Sequence, residues 1–473
     1  MSASMVIIGA GPGGYVAAFE AARAGLNVTL VEKADLGGVC LNSGCVPTKT
    51  IRASADALLT AGRLAEFGIA AGDGAASFRA DMAAVTARKE RVRKLLAGGL
   101  EKSCAALKVK ILRGRAELLG QGRVRIRGQS GDEEIHGDHI IIATGSRVLD
   151  LPSLPVDHQY ILNSDDALNL DRVPGRLLIV GGGVVGCELA FIFRAFGAEV
   201  TVVEGLDRLL PLPSVDGEIS KLIQREAKKQ GIRAELACTV TSARVEGESV
   251  RCLLGPSPFV QGASRPEAEV ETDMVLVAVG RAPNTEGLGL EAAGVETDAK
   301  GWIKADGRMR TSAPGIYAVG DALGPSRVML AHVASAEGLC AVANCLGREE
   351  VLDYSVIPSA VFTSPEIGTV GLSEAEAGER GMQTRSSLFQ FRELGKAQAM
   401  GELPGLFKLV CEAESGKILG AHIAGAHASD LVAEAALAIR HGLSASDLAH
   451  TIHAHPTLAE GMYEAAEAWL RGR

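Results

Sequence analysis

Residues 6–33 read VIIGAGPGGYVAAFEAARAGLNVTLVEK, and residues 178–205 read LIVGGGVVGCELAFIFRAFGAEVTVVEG. The second stretch repeats the first with an offset of 172 residues, the distance from Gly9 to Gly181. The matching positions are Gly9, Gly11, Gly14, Gly25, Val28 and Glu32 with Gly181, Gly183, Gly186, Gly197, Val200 and Glu204. Each copy reads as an apolar strand, a glycine-rich turn, an amphipathic helix and a second apolar strand that ends in Glu. The chain therefore contains an internal repeat of βαβ units.

The glycine spacing in both copies is the fingerprint of a dinucleotide-binding βαβ unit. The first Gly permits a tight turn, the second lets the backbone approach a pyrophosphate, and the third lets the helix pack closely on the strand. The phosphates then meet free N–H groups at the positive end of the helix. The sequence thus predicts two dinucleotide sites, at Gly9, Gly11, Gly14 and Glu32 and at Gly181, Gly183, Gly186 and Glu204.

The acid that closes each unit indicates which nucleotide it accepts. Glu32 and Glu204 can accept hydrogen bonds from a ribose diol, and like charge would repel a 2′-phosphate. No Arg directly follows Glu204 to reverse this preference, although Arg208 is near. The second site is therefore predicted to prefer NAD over NADP.

Length and composition limit the class of protein. The chain has 473 residues, 47% hydrophobic and 22% charged, which is typical of a soluble globular protein of about three domains. The net charge of −9 argues against a nucleic-acid partner. No apolar run approaches the ~18 residues of a membrane span, and residues 1–14 do not resemble a cleavable leader. We expect a cytoplasmic protein, in which nine cysteines are too few for a disulfide scaffold.

A cysteine pair follows the first unit, in GGVCLNSGCVPTK at residues 37–49. In a regular helix, Cys40 and Cys45 would have Cα atoms ~8.6 Å apart, beyond the ~7 Å limit for a disulfide. A bond therefore needs an irregular backbone, which residues 42–44 (Asn-Ser-Gly) can provide. Pro47 suits the first turn of a helix, which would place Cys45 near a helix N-terminus that stabilises a thiolate. We predict a redox-active dithiol or disulfide; the alternative is two unrelated buried thiols.

A second pair with the same spacing serves as a comparison. Cys340 and Cys345 lie in LCAVANC, which contains no Gly or Pro and reads as continuous helix. Their side chains should point about 140° apart and stay unbonded. Spacing alone is thus a poor guide, and the position beside a dinucleotide turn favours the first pair. The remaining cysteines read as core or surface thiols: Cys104, Cys187, Cys238, Cys252 and Cys411.

These motifs together resemble the flavin disulfide oxidoreductases, a group that includes dihydrolipoyl dehydrogenases, glutathione reductases and mercuric reductases. Further matches are ATGS (143–146), AVGRAPNT (278–285), GIYAVGDA (315–322), LAHVASAEG (330–338), VFTSPEIGTVG (361–371) and HAHPTLAE (453–460). The resemblance covers nearly the whole chain. It implies an α/β fold with two Rossmann-like dinucleotide-binding domains, the first for FAD and the second for NAD, plus a C-terminal α+β dimerisation domain.

The resemblance also implies roles for single residues. Those toward FAD are Gly114 and Ala116 at the adenine, Thr144 and Gly145 in the ATGS motif, Asp321 at the ribityl chain, and Ala331 at the flavin ring. Those toward NAD are the backbones of Val240 and Gly280. Lys49 and Glu188 resemble an ion pair near the reactive nitrogen of the flavin. Alternatively, Lys49 is a solvated helix lysine, and Glu188 is a first-turn acid favoured by the helix dipole.

The C-terminal stretch TIHAHPTLAEGMYEAAEAWL (451–470) carries a candidate acid–base pair. Residues 457–460 predict a capping box, so His455 should lie in the turn before a helix. In dihydrolipoyl dehydrogenases, HxHPTxxE carries the base on its second His, oriented by the Glu, which implies His455 and Glu460. Alternatively, Glu460 only caps the helix. His450, His453 and His455 could suggest a metal, but no Cys or carboxylate pattern completes a site, so none is predicted.

The implied organisation is discontinuous. Its predicted parts are an FAD domain (1–147), an NAD domain (148–276), a central domain that completes the FAD site (277–346) and an interface domain (347–473). A homodimer is implied because His455 of one chain serves the cysteines of the other.

The implied reaction oxidises protein-bound dihydrolipoyl groups to the lipoyl disulfide and reduces NAD⁺ to NADH, through Cys40, Cys45 and FAD. The stretch VPTKTIR (46–52) departs from the usual IPSKALL toward mercuric reductases. The alternative is therefore a related flavin enzyme with another substrate, either mercuric ion or a disulfide reduced by NAD(P)H. A third reading is a structural subunit of a lipoyl-bearing complex without turnover.

Overall fold

A computed structural model describes residues 3–70, 78–129 and 131–472. The strands are β1 Ser4–Ile8, β2 Asn27–Glu32, β3 Lys110–Arg113, β4 Arg115–Gly120, β5 Arg123–Gly128, β6 Gly131–His136, β7 His139–Ile142, β8 Ser146–Val148, β9 Ile161–Leu162, β10 Arg176–Val180, β11 Glu199–Val203, β12 Ile232–Glu235, β13 Cys238–Glu246, β14 Ser249–Pro256, β15 Ala268–Thr272, β16 Met274–Val277, β17 Arg281–Pro283, β18 Ile316–Ala318, β19 Ser359–Val361, β20 Ile367–Gly371, β21 Thr384–Gln390, β22 Leu406–Glu412 and β23 Ile418–Ala424.

The helices follow the same chain order. They are α1 Pro12–Arg23, α2 Gly38–Asn42, α3 Cys45–Gly62, α4 Met82–Ala106, α5 Ser164–Ala167, α6 Val184–Ala195, α7 Gly217–Lys229, α8 Ala331–Cys345, α9 Glu374–Glu379, α10 Gly395–Met400, α11 Ala428–Arg440, α12 Ala445–Ala449 and α13 Glu460–Arg471, with 3₁₀ segments at Leu64–Phe67, Gly320–Leu323 and Phe391–Glu393.

The described residues form two compact units, each assembled from separate stretches of chain. The first unit contains Met1–Ile51, Met82–Leu149 and Gly280–Asp353. The second contains Arg52–Asp81, Asp150–Val279 and Tyr354–Arg473. The four domain boundaries expected from the resemblance stay a prediction.

The first unit is built on a five-stranded parallel sheet of order β18-β7-β1-β2-β3. The apolar strand β1 is buried from its second residue onward, as expected of a central parallel strand. Helix α1 packs against α8, and an antiparallel sheet β4-β5-β6 adds to the unit. The carboxyl ends of β1, β2 and β7 meet at the edge where ligands of such sheets bind.

The second unit contains a parallel sheet of order β12-β11-β10-β16-β9. The strand pairing of the first sheet is repeated here. Ser4 of β1 pairs with Asn27 of β2, and the equivalent residues of β10 and β11, Arg176 and Glu199, pair in the same way. Strand β10 begins and ends 172 residues after β1, the distance from Ser4 to Arg176. Helix α6 begins and ends at the same offset from α1. The predicted internal repeat of βαβ units is confirmed.

The C-terminal part of the second unit is an antiparallel sheet of order β19-β20-β23-β22-β21 with helices packed on it. Its core contains Phe391 and Phe407, whose rings stack with centroids 4.9 Å apart, and the buried Trp469 of α13. Two parallel dinucleotide-type sheets and this α+β part confirm the predicted α/β fold class. Among the described residues, no helix is both long and apolar enough to cross a bilayer.

A buried ion cluster within the second unit yields a first prediction. Lys408 Nζ lies 2.9 Å from Asp216 Oδ2 and 2.7 Å from Glu374 Oε2, with the Lys408 and Asp216 side chains 5% and 3% exposed. We expect Asp216→Ala to lower the free energy of unfolding by about 3–5 kcal/mol, because it leaves the Lys408 charge buried with fewer partners. Urea denaturation measures the loss, and Lys221→Ala, in an exposed pair with Glu218, should cost less than about 1 kcal/mol.

The stabilisation by this cluster depends on pH, and the direction of that dependence follows from the pKa of Asp216. Burial by itself would raise the pKa of Asp216, but hydrogen bonds from Lys408 and from the Glu218 N–H outweigh it and lower that pKa. The stabilisation is therefore present above the unfolded pKa of about 3.9 and is lost as the pH falls through the folded value. Equal acid sensitivity of the wild type and Asp216→Ala would contradict this account.

Candidate active site

The first glycine of each repeat occupies a turn that only glycine accepts. Gly9 has φ 104° and Gly181 has φ 109°. A Cβ would lie 2.3 Å from the Ala143 carbonyl oxygen at Gly9 and 2.4 Å from that of Ala278 at Gly181. Such a contact is far inside van der Waals distance, so both turns depend on the missing side chain.

The second and third glycines complete each turn. Gly11 and Gly183 are the N-cap residues of α1 and α6. A Cβ at Gly183 would meet no atom of the described residues within 4 Å, so the backbone there faces open space beside a helix N-terminus. A Cβ at Gly14 would lie 1.8 Å from Gly9 O. Both turns thus fit a pyrophosphate held on free N–H groups.

The third glycines give a second prediction, specific to each site. We expect Gly14→Ala to lose the first nucleotide and Gly186→Ala to lose the second, because each Cβ would lie under 2 Å from a carbonyl oxygen of its own turn. The flavin absorbance of the purified variants and NAD titration measure the two losses, each expected to be at least about tenfold. Gly98→Ala, whose Cβ would meet no described atom within 4 Å, should keep both nucleotides. Loss of both nucleotides in either single variant would contradict separate sites.

The acid at the end of each unit is 8% exposed and bridges two backbone N–H groups. The donors are Ala10 (2.8 Å) and Ala34 (2.9 Å) for Glu32, and Gly182 (2.6 Å) and Leu206 (2.8 Å) for Glu204. Each carboxylate oxygen keeps a lone pair with which it can accept from a ribose hydroxyl.

Arg208 donates to the Val215 and Leu212 carbonyl oxygens, both at 3.0 Å, so its guanidinium is engaged within its own loop.

The cysteine segment has the irregular backbone that its sequence predicts. Helix α2 ends at Asn42, Ser43 has φ −144° and ψ 19°, and α3 begins at Cys45. The Asn42 side chain donates to the carbonyl oxygens of Leu36 and Gly38, both at 3.0 Å, and so holds the break. The predicted helix start at Cys45 is confirmed.

The side chains of Cys40 and Cys45 form a hydrogen bond with each other. The hydrogen bond to Cys45 raises the pKa of Cys40 well above its ordinary value, burial adds to the effect, and Lys49 opposes it. Burial and then the charges of both cysteines raise the pKa of Tyr15. Sequence reasoning missed Tyr15, although it directly follows Gly14.

The comparison pair behaves as its sequence predicts. Cys340 and Cys345 lie in the continuous helix α8, and both are free. Burial raises the pKa of Cys345 to about 12. The predicted continuous helix through this pair is confirmed, and its unbonded state stays a prediction.

Asp321 lies in the 3₁₀ segment of the first unit and accepts a hydrogen bond from Ser146 Oγ at 2.5 Å. The Arg281 guanidinium donates to the same hydroxyl at 2.5 Å and to Ser146 O at 2.9 Å. The charge of Asp321 also contributes to the raised pKa of Cys40. Sequence reasoning quoted the motifs of Ser146 and Arg281 but missed this network.

The other residues assigned to the first nucleotide lie at the ends of elements in the same unit. Ala331 begins α8, Thr144 and Gly145 follow β7, and Gly114 and Ala116 lie where β3 passes into β4. Thr144 Oγ1 is buried and has no hydrogen-bond partner among the described residues. A buried hydroxyl without a partner fits a site whose bound group supplies one.

Glu188 and Val240 belong to the second unit. Glu188 is 4% exposed, and its Oε1 accepts the Phe362 N–H at 3.0 Å. It is the fifth residue of α6, so the interpretation as a first-turn acid is wrong. Val240 lies on β13, whereas Gly280, with φ 142°, is the first residue of the last stretch of the first unit. The ion pair of Glu188 with Lys49 stays a prediction.

His455 and Glu460 form a hydrogen-bonded pair, with 2.8 Å between Nδ1 and Oε1. The Thr457 N–H donates to Glu460 Oε2 at 2.8 Å, and it and His455 lower the pKa of Glu460. A carboxylate on Nδ1 fixes the proton there and leaves Nε2 as a base. The His455 side chain is 76% exposed in the single chain.

Only one of the two hydrogen bonds of the predicted capping box forms, so that prediction is wrong for the other. Helix α13 begins at Glu460 with Ala459 as its N-cap. The Thr457 hydroxyl donates to Ala454 O instead of accepting from the helix. Glu460 therefore bonds the turn and the imidazole at once, and the two interpretations of this residue are compatible.

The neighbouring histidines have different partners. His453 binds Glu434 Oε1 through Nε2 at 2.8 Å and Thr451 O through Nδ1 at 2.9 Å, so neither ring nitrogen is available as a base. His450 Nδ1 lies 2.7 Å from Ser446 O. Over the described part of the chain, no group of three or more His, Cys, Asp or Glu residues is arranged to hold a metal. Sequence reasoning missed Glu434.

Two family models match the chain. One, described as pyridine nucleotide-disulphide oxidoreductase, matches residues 3–338. The other, described as the dimerisation domain of those enzymes, matches residues 357–466. Together they cover both glycine turns, the cysteine segment and the His455–Glu460 pair.

Curated relatives named dihydrolipoyl dehydrogenase match over nearly their whole length. The protein from Haloferax volcanii is 42% identical over 98% of this chain and 95% of the relative. The one from Chlamydia muridarum is 41% identical over 98% and 95%, and the one from Chlorobaculum parvum is 39% identical over 99% and 97%.

Two solved structures resemble the chain closely. LpdA from Mycobacterium tuberculosis is 28% identical with a TM-score of 0.89, covering 98% of this chain and 99% of that one. The Cu(II) complex of the HOCl-induced flavoprotein disulfide reductase RclA from Escherichia coli is 26% identical with a TM-score of 0.86, covering 99% of both.

Proposed function

This chain belongs to the pyridine nucleotide-disulphide oxidoreductases, and we propose from this premise that it works as a dihydrolipoyl dehydrogenase. It oxidises a protein-bound dihydrolipoyl group to the lipoyl disulfide and reduces NAD⁺ to NADH. The observation that carries the proposal is the interacting pair Cys40 and Cys45, which lies in α2 and at the start of α3, just after the first βαβ unit.

The family uses FAD and NAD, and the two repeats supply a turn for each. FAD would be held by Gly9, Gly11, Gly14, Glu32, Lys49, Gly114, Ala116, Thr144, Gly145, Asp321 and Ala331, and NAD by Gly181, Gly183, Gly186, Glu204, Val240 and Gly280. When bound, FAD would supply the two-electron carrier that links the dithiol to NAD⁺. The protein supplies placement, a thiolate and a base.

The thiol chemistry uses three side chains. With Cys40 and Cys45 joined as a disulfide, Nε2 of His455 of the partner subunit takes the proton of a substrate thiol. The resulting thiolate attacks Cys40 Sγ, the bond between Cys40 and Cys45 breaks, and Cys45 leaves as a thiolate. The second substrate thiol then displaces Cys40, closes the lipoyl disulfide and leaves the protein as a dithiol.

A homodimer follows from this use of His455. Its support is the dimerisation-domain match at residues 357–466 and the exposure of the His455 side chain in the single chain. A lipoyl-bearing carrier protein is the proposed substrate partner. We propose a cytoplasmic location because nine cysteines in 473 residues are too few for a secreted disulfide scaffold.

A substrate panel tests the function. The purified yellow protein should form NADH from dihydrolipoamide and NAD⁺, and NADP⁺ should be poorer because Glu204 faces the ribose. The competing reading, favoured by the likeness to RclA and by residues 46–52, predicts no NADH but consumption of NAD(P)H with another disulfide or mercuric ion. That second pattern would overturn the assignment while leaving the fold intact.

A further inference from the structure

The loop at residues 257–267, between β14 and β15, is fastened near the end of the second dinucleotide unit. Ser257 donates its N–H to Ala237 O at 3.0 Å, and Arg265 Nη1 lies 3.1 Å from Glu235 Oε2. Glu235 is the last residue of β12, the strand beside β11. Both ends of the loop are thus held at the carboxyl edge of the parallel sheet, where nucleotides bind.

Phe259 at the tip of this loop lies on Gly205. A Cβ built on Gly205 would lie 2.9 Å from Phe259 Cδ2, so the ring occupies the space that a side chain would fill. The Phe259 N–H donates to Ser257 Oγ at 3.1 Å, and Ser257 is 5% exposed, which fixes the backbone under the ring. Phe259 is nevertheless 73% exposed. The ring is therefore held in place with most of its surface uncovered.

The position of Gly205 relates this ring to the nucleotide. Gly205 directly follows Glu204, the acid predicted to bind the adenosine ribose. A dinucleotide whose pyrophosphate lies at the N-terminus of α6 has its ribose at this acid, so its base extends beyond it. Cys238, the first residue of β13, donates its N–H to Glu204 O at 3.0 Å, which brings Val240 to the same end. Glu204, Gly205, Val240 and Phe259 are thus gathered where the adenine must lie.

We propose that Phe259 is a binding residue for NAD and stacks on its adenine ring. The proposal rests on the second unit being the NAD site. An aromatic ring that packs on a glycine backbone and keeps most of its surface exposed suits a planar base, and stacking covers the apolar surface that the fold leaves exposed.

Binding of ADP-ribose to the FAD-loaded protein tests the proposal without turnover. By calorimetry, Phe259→Ala should weaken ADP-ribose binding about tenfold, the effect of losing one base–aromatic stack. Phe259→Trp should restore binding to within about threefold of the wild type. Nicotinamide mononucleotide, which lacks adenosine, should bind equally to all three proteins. Phe78→Ala, at another exposed phenylalanine, is the matched control and should change nothing.

A second variant tests the contact itself. Gly205→Ala places a methyl group against the ring and should weaken ADP-ribose binding as much as Phe259→Ala does. The double variant should be no weaker than either single one, because both remove the same stack. Unchanged ADP-ribose affinity in Phe259→Ala, or fully additive losses in the double variant, would overturn the role of Phe259. A wild type that binds no ADP-ribose would instead overturn the proposed function on which this inference rests.

Discussion

Cys45→Ser removes NADH formation from dihydrolipoamide, with an expected loss of about 10³-fold or more. The reason is that a serine hydroxyl cannot form, with Cys40, the disulfide that accepts the substrate's electrons. The variant should still bind FAD, because the first glycine turn and the Ser146–Asp321 bond do not involve the thiol. Steady-state NADH formation measures the loss of turnover, and the flavin content of the same sample measures the retention of FAD.

Cys340→Ser is the matched control for this prediction. It belongs to the second pair with the same spacing, lies in continuous helix and is buried. Its turnover should stay within about twofold of the wild type, since the proposed chemistry does not use it. Turnover preserved in Cys45→Ser, or lost equally in Cys340→Ser, would contradict the assignment of the redox pair.

His455→Ala lowers turnover by about 10²- to 10⁴-fold, the range for removal of a general base. Glu460→Gln should cost about 10-fold or more, because a neutral amide orients the imidazole without supporting its charge. The Thr457 N–H and His455 lower the pKa of Glu460. The support from this carboxylate is therefore complete above the ordinary Glu value of about 4.3 and is lost only as the pH falls through the lowered one.

His450→Ala tests whether the loss of turnover is specific to His455 or common to the histidines of this segment. His450 is exposed, and its Nδ1 bonds to Ser446 O in its own helix. We expect its turnover and pH profile to match the wild type. A His450→Ala loss as large as that of His455→Ala would show that the segment, rather than the His455–Glu460 pair, is being perturbed.

The two βαβ units were predictable because their determinants are local. The glycines, the apolar strands and the closing acids lie within one unit, and the turn geometry of Gly9 and Gly181 admits no other residue. The break between α2 and α3 was predictable for the same reason, since Asn42 satisfies carbonyl groups only a few residues away.

The contacts that sequence reasoning missed join distant residues. The pairing of β8 with β17 brings together Ser146, Arg281 and Asp321. None of the motifs quoted above predicts that pairing. Phe259 lies in a loop of low regularity whose position depends on Ala237 and Glu235. The capping box failed because the turn before α13 offers the Thr457 hydroxyl a nearer acceptor, Ala454 O. Local patterns predict elements, whereas packing decides such side-chain partners.

The most direct test of the central claim is a single-turnover measurement under anaerobic conditions. The FAD-loaded protein is mixed with one equivalent of dihydrolipoamide and excess NAD⁺, and NADH and lipoamide are quantified together with the Cys45→Ser variant as reference. This account predicts one NADH for each dihydrolipoamide oxidised by the wild type and none from the variant. A yellow, NAD-binding wild type that forms no NADH, or a variant that forms as much, would contradict a route from substrate dithiol through Cys40 and Cys45 to NAD.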